Sequence, residues 1–263
     1  MSTTHGMLMT LLLAAALSSP ALAADSHTLV AAQQLLQSGM NHGDPGPMLK
    51  ARGQFLGLLA AEPGAALLHY WVAVADWRVV PMLAGKDRQG AQRYCEEGLL
   101  QCDAALKADP RLAEALAVKA GLQGLAINFN GAAAITLGPA LRANLGRAVE
   151  MAPANPRIRL IDGINTLHMP DFFGGGADKA LEKLKLASTL FAAESLADST
   201  APRWGGDDAL LWAGRCAMTL RDFAAARDFF QQALDRNPDN GWVRTALLPA
   251  AADSLAKHPR NKS

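Results

Sequence analysis

"DDALLWAGRCAMTLRDFAAARDFFQQALDRNPDN", residues 207 to 240, decides the fold. Its apolar residues recur at helical spacing on either side of a short break at "LRD", which reads as two helices folded back on each other. Leu210, Gly214 and Ala217 share a face of the first helix, and Ala226, Phe230 and Ala233 a face of the second. Small residues stand where two antiparallel helices come closest, and Phe230 fills the gap to the next unit. Pro238 closes the second helix, because its ring cannot continue one.

The same ending recurs upstream. "ALKADP" (105–110), "AVEMAP" (148–153) and "ALDRNP" (233–238) each place alanine five residues before proline, and "LLAAEP" ending at Pro63 is a weaker copy. Pro63, Pro110, Pro153 and Pro238 stand 47, 43 and 85 residues apart, so the last interval holds two units, the first of which ends near Ala192. Recurrence at this period signals stacked repeats. The 34-residue unit, with its small residues and closing proline, resembles the tetratricopeptide repeat (TPR) family. Gly163 in "NPRIRLIDG" then falls where Gly214 falls, independently of the prolines.

The fold class is all-α: a TPR-like solenoid of about four helix pairs with capping helices. The periodicity predicts helices at about 65–80 and 88–108, 112–128 and 132–151, 156–168 and 177–192, and 207–219 and 222–236. Short helices at 27–37 and 47–61, within a capping segment 24–62, precede the repeats of 63–240. A helix at 241–256 follows them, then a basic tail, 257–263. The segment 193–208 is the largest insertion. Each pair has two apolar faces, so stacking is what makes a core and the ends need caps.

Composition bounds the function. Half of the 263 residues are hydrophobic and the net charge is +1, which argues against a nucleic-acid partner. "MLMTLLLAAAL" (7–17), followed by "SSP" and "ALA", has the form of a secretory signal peptide, residues 1–23, cleaved after Ala23. The apolar run is too short to span a bilayer. The mature chain is expected in the periplasm, without membrane insertion. Cys95 and Cys102, seven apart on one helix, lie about 10.5 Å apart, beyond disulfide reach. Free, buried thiols are expected, with a pairing of either to Cys216 left open.

"MPDFFGGGADKALEKL" (169–184) raises the question of a phosphate loop. It lacks the Walker spacing, and no strand precedes it. A structural joint fits better. Met169-Pro170 ends one helix, Phe172 and Phe173 anchor the turn in the apolar groove between units, and Gly174, Gly175 and Gly176 permit close backbone approach. No catalytic constellation and no metal-ligand spacing occurs, so no enzyme activity, metal or cofactor is expected. "NPRIRLIDGINTLHMPDFFGGGADKA", with the later "APRWGG", resembles a group of uncharacterised exported bacterial TPR-like proteins. That resemblance brings no activity with it.

The TPR resemblance implies a groove. In such arrays the first helix of each pair lines the concave face. The family's groove positions fall here on Tyr70, Trp77, Arg78, Glu114, Arg157 and Arg215. The aromatic pair in "YWVAVADW" (70–77) is more often core than binding surface. Arginines on a groove can fork to a carboxylate, so the expected function is a non-catalytic adaptor that takes a protein or peptide through the concave face. Replacing Arg157 should then spare stability. The alternative is a small-ligand-binding component of an envelope transporter, which needs a deep apolar cavity with convergent polar groups.

Overall fold

A computed structural model describes residues 20–195 and 200–258. Among these the secondary structure is helical throughout. Five antiparallel pairs follow one another: α1 (Pro20–His42) with α2 (Pro45–Ala61), α3 (Ala66–Leu83) with α4 (Arg88–Ala108), α5 (Ala113–Phe129) with α6 (Ala134–Met151), α7 (Pro156–His168) with α8 (Ala177–Ala193), and α9 (Gly206–Thr219) with α10 (Phe223–Arg236). A π-helical turn, Val243–Leu247, leads into α11 (Leu248–Lys257). Most of the predicted leader, residues 1–23, lies outside the described residues, as does the end of the tail. α1 is longer than expected and runs through Ala23.

The boundaries follow local chemistry. Pro63, Pro110, Pro153 and Pro238 each stand two residues past the last helical residue, after a C-cap that has already turned out of the helix. Asp44, Asp87, Asn155 and Asp222 cap the helices that follow them, accepting N–H bonds of the first turn. α8 has no such proline. Glu194 ends it in extended geometry and begins the insertion.

The pairs close on small residues, as the register requires. A Cβ on Gly214 would stand 2.4 Å from the ring of Phe230, and one on Gly163 would stand 2.6 Å from Leu184. The two glycines are therefore equivalent in space as well as in register. The main core runs from α1 to α9, and a smaller cluster of Leu210, Phe230, Val243 and Ala251 closes the far end. Trp212 and Phe229 pack against both.

α3 departs from the pattern of a surface helix: every residue from Tyr70 to Val80 is buried. A helix apolar all round must be covered all round, and α4, α2 and α5 cover only its outer sides. The inner side is covered because the superhelix shuts. Asn237 in the turn after α10 donates to Asn41 of α1 at 2.8 Å across 196 residues, and Asn237 and Asn240 both bond Asp207. The two ends of the array thus meet.

Gly214→Ala is expected to cost about 1–3 kcal/mol, because the methyl group has no room beside Phe230. Gly57→Ala, at an open position in α2, should gain up to about 1 kcal/mol from helix propensity. Paired urea melts of the two variants separate close approach from glycine content.

Candidate functional site

The inner face is built around one arginine. Arg157, at the start of α7, is 4% exposed. Its Nε donates to Glu114 of α5 at 2.9 Å, and its two terminal nitrogens fork onto Glu194. Asn155, the cap of the same helix, donates to the shared Glu114 oxygen at 2.6 Å. The other Glu114 oxygen accepts from the Tyr70 hydroxyl of α3 at 2.5 Å, and that hydroxyl accepts from the indole N–H of Trp204 at 3.0 Å. Burial opposes the charge on Arg157, but the two carboxylates outweigh it and raise its pKa. Burial and the Glu114 charge likewise raise Tyr70, which stays a neutral donor. α3, α5, α7 and both ends of the insertion are tied together.

Trp204 reaches this point because Gly205 takes a left-handed conformation (φ +102°), and a side chain there would meet Leu160 and Phe191 at 2.9 Å. The indole then lies against α3. Arg78 is held between Trp77 and Trp204, with its guanidinium 4.3 and 4.8 Å from the ring centroids. Its fork is closed by Asp208 at 2.6 Å. On the other side Gln33 of α1 donates to the Thr200 carbonyl at 3.0 Å. The segment 200–205 is therefore strapped across the inner face from α7 to α1.

Beneath the strap a cavity of about 330 Å³ remains. Trp71, Val74, Leu36, Met40 and Trp204 form its apolar walls, and Gln33, Gln34, Gln37 and Arg203 its polar rim. The buried Trp71 indole N–H has no hydrogen-bond partner. A second hollow, of about 360 Å³, lies between α6, α7 and the glycine turn.

The expected groove residues are thus mostly not a surface. Tyr70 is fully buried, Trp77 and Arg78 are each 7% exposed, and the Glu114 side chain is 11% exposed. Arg157 is a structural ion pair, which corrects the expectation that its loss would spare stability. The TPR register placed these side chains on the inner face, but the chain's own insertion occupies that face. Arg215 alone of the six keeps a partly open guanidinium. Trp204 and the rim residues of α1 were not expected; "APRWGG" was the only trace of them, a lone tryptophan in a long insertion.

The glycine joint behaves as a joint at its backbone. A Cβ on Gly175 would lie 1.8 Å from the Met169 carbonyl, and Gly174 and Gly176 have φ of +91° and +116°. Its phenylalanines do not anchor it. Phe172 is 81% and Phe173 59% exposed, their rings tilted against each other at 4.3 Å. The turn is closed by backbone bonds from Gly175 to Pro170 and from Gly176 to Thr166, and this geometry throws both rings outward.

The three cysteines are free and buried. Burial pushes the Cys95 thiol up to about 12 and Cys216 up to about 11, so neither is a ready nucleophile. Among the described residues no three His, Cys, Asp or Glu side chains converge as a metal site would need, and no helix is long and apolar enough to cross a membrane.

This architecture is that of the TPR-like helical-repeat proteins. No family model matches the sequence, and no curated protein is similar to it. Solved structures are similar in fold. The HusA haemophore from Porphyromonas gingivalis matches with a TM-score of 0.62 at 23% identity, over 76% of this chain and 94% of that one. TTC0263, a thermophilic TPR protein of Thermus thermophilus, matches with 0.61 at 16% identity, over 88% and 99%. At these identities the likeness shows the fold.

Arg157→Ala is expected to lose about 3–5 kcal/mol, since it strands Glu114 and Glu194 inside. The urea midpoint measures this, and a change below about 0.5 kcal/mol would remove the network from its structural role.

Proposed function

We propose that the protein is an exported, non-catalytic binding protein that holds a flat apolar ligand in the cavity between α1, α3 and the 200–205 strap. One observation carries this reading: the concave face is filled by the chain's own insertion, which leaves a cavity of about 330 Å³ with aromatic walls and an amide-lined mouth. That volume is at the lower end for small-molecule sites, so it suits a modest ligand or the inserted edge of a larger one.

The likeness to a haemophore makes haem and metal-free protoporphyrin the first ligands to test. The lining offers Met40 and no histidine, so a porphyrin here would be held by stacking and burial. Haem titration followed by its absorbance, beside equilibrium dialysis of apolar extracts from the native host, is expected to give saturable one-to-one binding of at least one such ligand. Gln34→Trp, at the exposed mouth, should weaken it about tenfold with melting unchanged. Absence of saturable binding, or equal binding by the blocked variant, would sink the proposal.

A protein-adaptor reading has one observation in its favour, the outward Phe172–Phe173 pair. Exposed aromatic rings are what a partner's pocket takes up. Loss of a specific crosslinked envelope partner in Phe172→Ser/Phe173→Ser, with its retention in Gln34→Trp, would favour this second reading over the first.

A further inference from the structure

Three arginines of this chain share a design. Arg52 lies 5.1 Å from the Tyr94 ring centroid and pairs with Asp76 at 2.5 Å and Glu97 at 2.6 Å. Arg78 lies between Trp77 and Trp204 and pairs with Asp208. Arg157 faces Phe191 at 5.8 Å and pairs with Glu114 and Glu194. In each, an aromatic face holds the flat guanidinium while its fork takes a carboxylate.

Arg215 has the first half of this design and lacks the second. Its guanidinium is 4.2 Å from the Trp212 centroid and 5.4 Å from that of Trp242. This is the same double-tryptophan setting as Arg78. Yet among the described residues no hydrogen bond or ion pair reaches it. Burial lowers its pKa, opposed only by the neighbouring Cys216 thiol and by no carboxylate. A half-desolvated cation is normally paired, and holding one open is the arrangement of a site whose anion arrives from outside. The surroundings define that anion's body. Trp242 is 45% exposed, so its ring is accessible. His168, at the end of α7, stands edge-on to Trp212 at 5.6 Å, and its own pKa is lowered by burial and by Arg215. The ring is neutral at pH 7 and brings no competing charge.

We infer that Arg215, Trp212 and Trp242 form a binding site, separate from the strapped cavity, for a small aryl carboxylate: the carboxylate lies in the guanidinium fork and the ring on Trp242. The site stands on α9 and the start of the closing helix, and none of its three residues lines the strapped cavity. It is independent of the cavity reading.

Indole N–H resonances test this directly, since the chain has 5 tryptophans. The probe is 2-naphthoate and the control is 2-naphthamide, of the same shape without charge. The carboxylate is expected to move the Trp212 and Trp242 signals saturably, and the amide to bind at least about tenfold more weakly, the worth of one charge-assisted pair. Arg215→Ala should abolish binding. Arg215→Lys, which keeps charge but not the fork, should retain a weaker affinity and serves if the alanine variant melts early. Gln34→Trp should bind naphthoate as wild type does. The inference is overturned if the amide binds as tightly, if a stably folded Arg215→Ala binds unchanged, or if the shifts fall on Trp71 and Trp204 instead.

Discussion

The shape of the molecule depends on Arg157. Two carboxylates share its guanidinium, Glu114 of α5 and Glu194 at the start of the insertion, and α3 joins them through Tyr70 on Glu114. A repeat array is held mainly by contacts between neighbouring units. This network is such a contact: it joins α5 to α7 of the next unit and holds Glu194, where α8 stops, on the start of α7. Trp204 then completes the chain of bonds through Tyr70 to Glu114. A buried ion pair is weak evidence for net stability; here it holds Glu194, at one end of the insertion, against α7.

The consequence for function is that the groove of an open array becomes an interior. The strap occupies the place where an adaptor would take a peptide, and the side chains suited to that task are turned to internal use. Asp208 fills the fork of Arg78 as a partner's carboxylate would, and Trp204 stacks on it as a partner's ring would. What remains is a cavity under the strap, an unfilled arginine fork on α9, and an aromatic pair standing outward on the glycine turn. Each suits a ligand of different chemistry, so a protein built from one repeated motif presents three different surfaces.

The helices were legible because their signals are local. Spacing of apolar residues, capping Asp and Asn, and proline two residues past α2, α4, α6 and α10 act within a few positions, and the observed boundaries of the repeats follow them closely. Gly163 and Gly214 were legible as equivalents because close helix approach within a pair admits no larger residue. The fate of the inner face was not legible. Arg78 and Arg157 meet partners 130 and 37 residues away, and nothing in their neighbourhood distinguishes them from Arg215. Phe172 and Phe173 were misjudged for a related reason: two phenylalanines suggest burial, while the backbone closure of the glycine turn decides which way they point.

The sequence by itself determined the helices, their pairing and their order, since period, caps and small-residue register are properties of a few adjacent residues. Only the tertiary structure decided that the array shuts, that the insertion crosses it, and which of its arginines stays open. Those outcomes rest on hydrogen bonds and ion pairs between residues far apart in the chain, such as Asn41 with Asn237 and Tyr70 with Trp204. Their energies depend on burial and mutual geometry that exist only once the superhelix has closed.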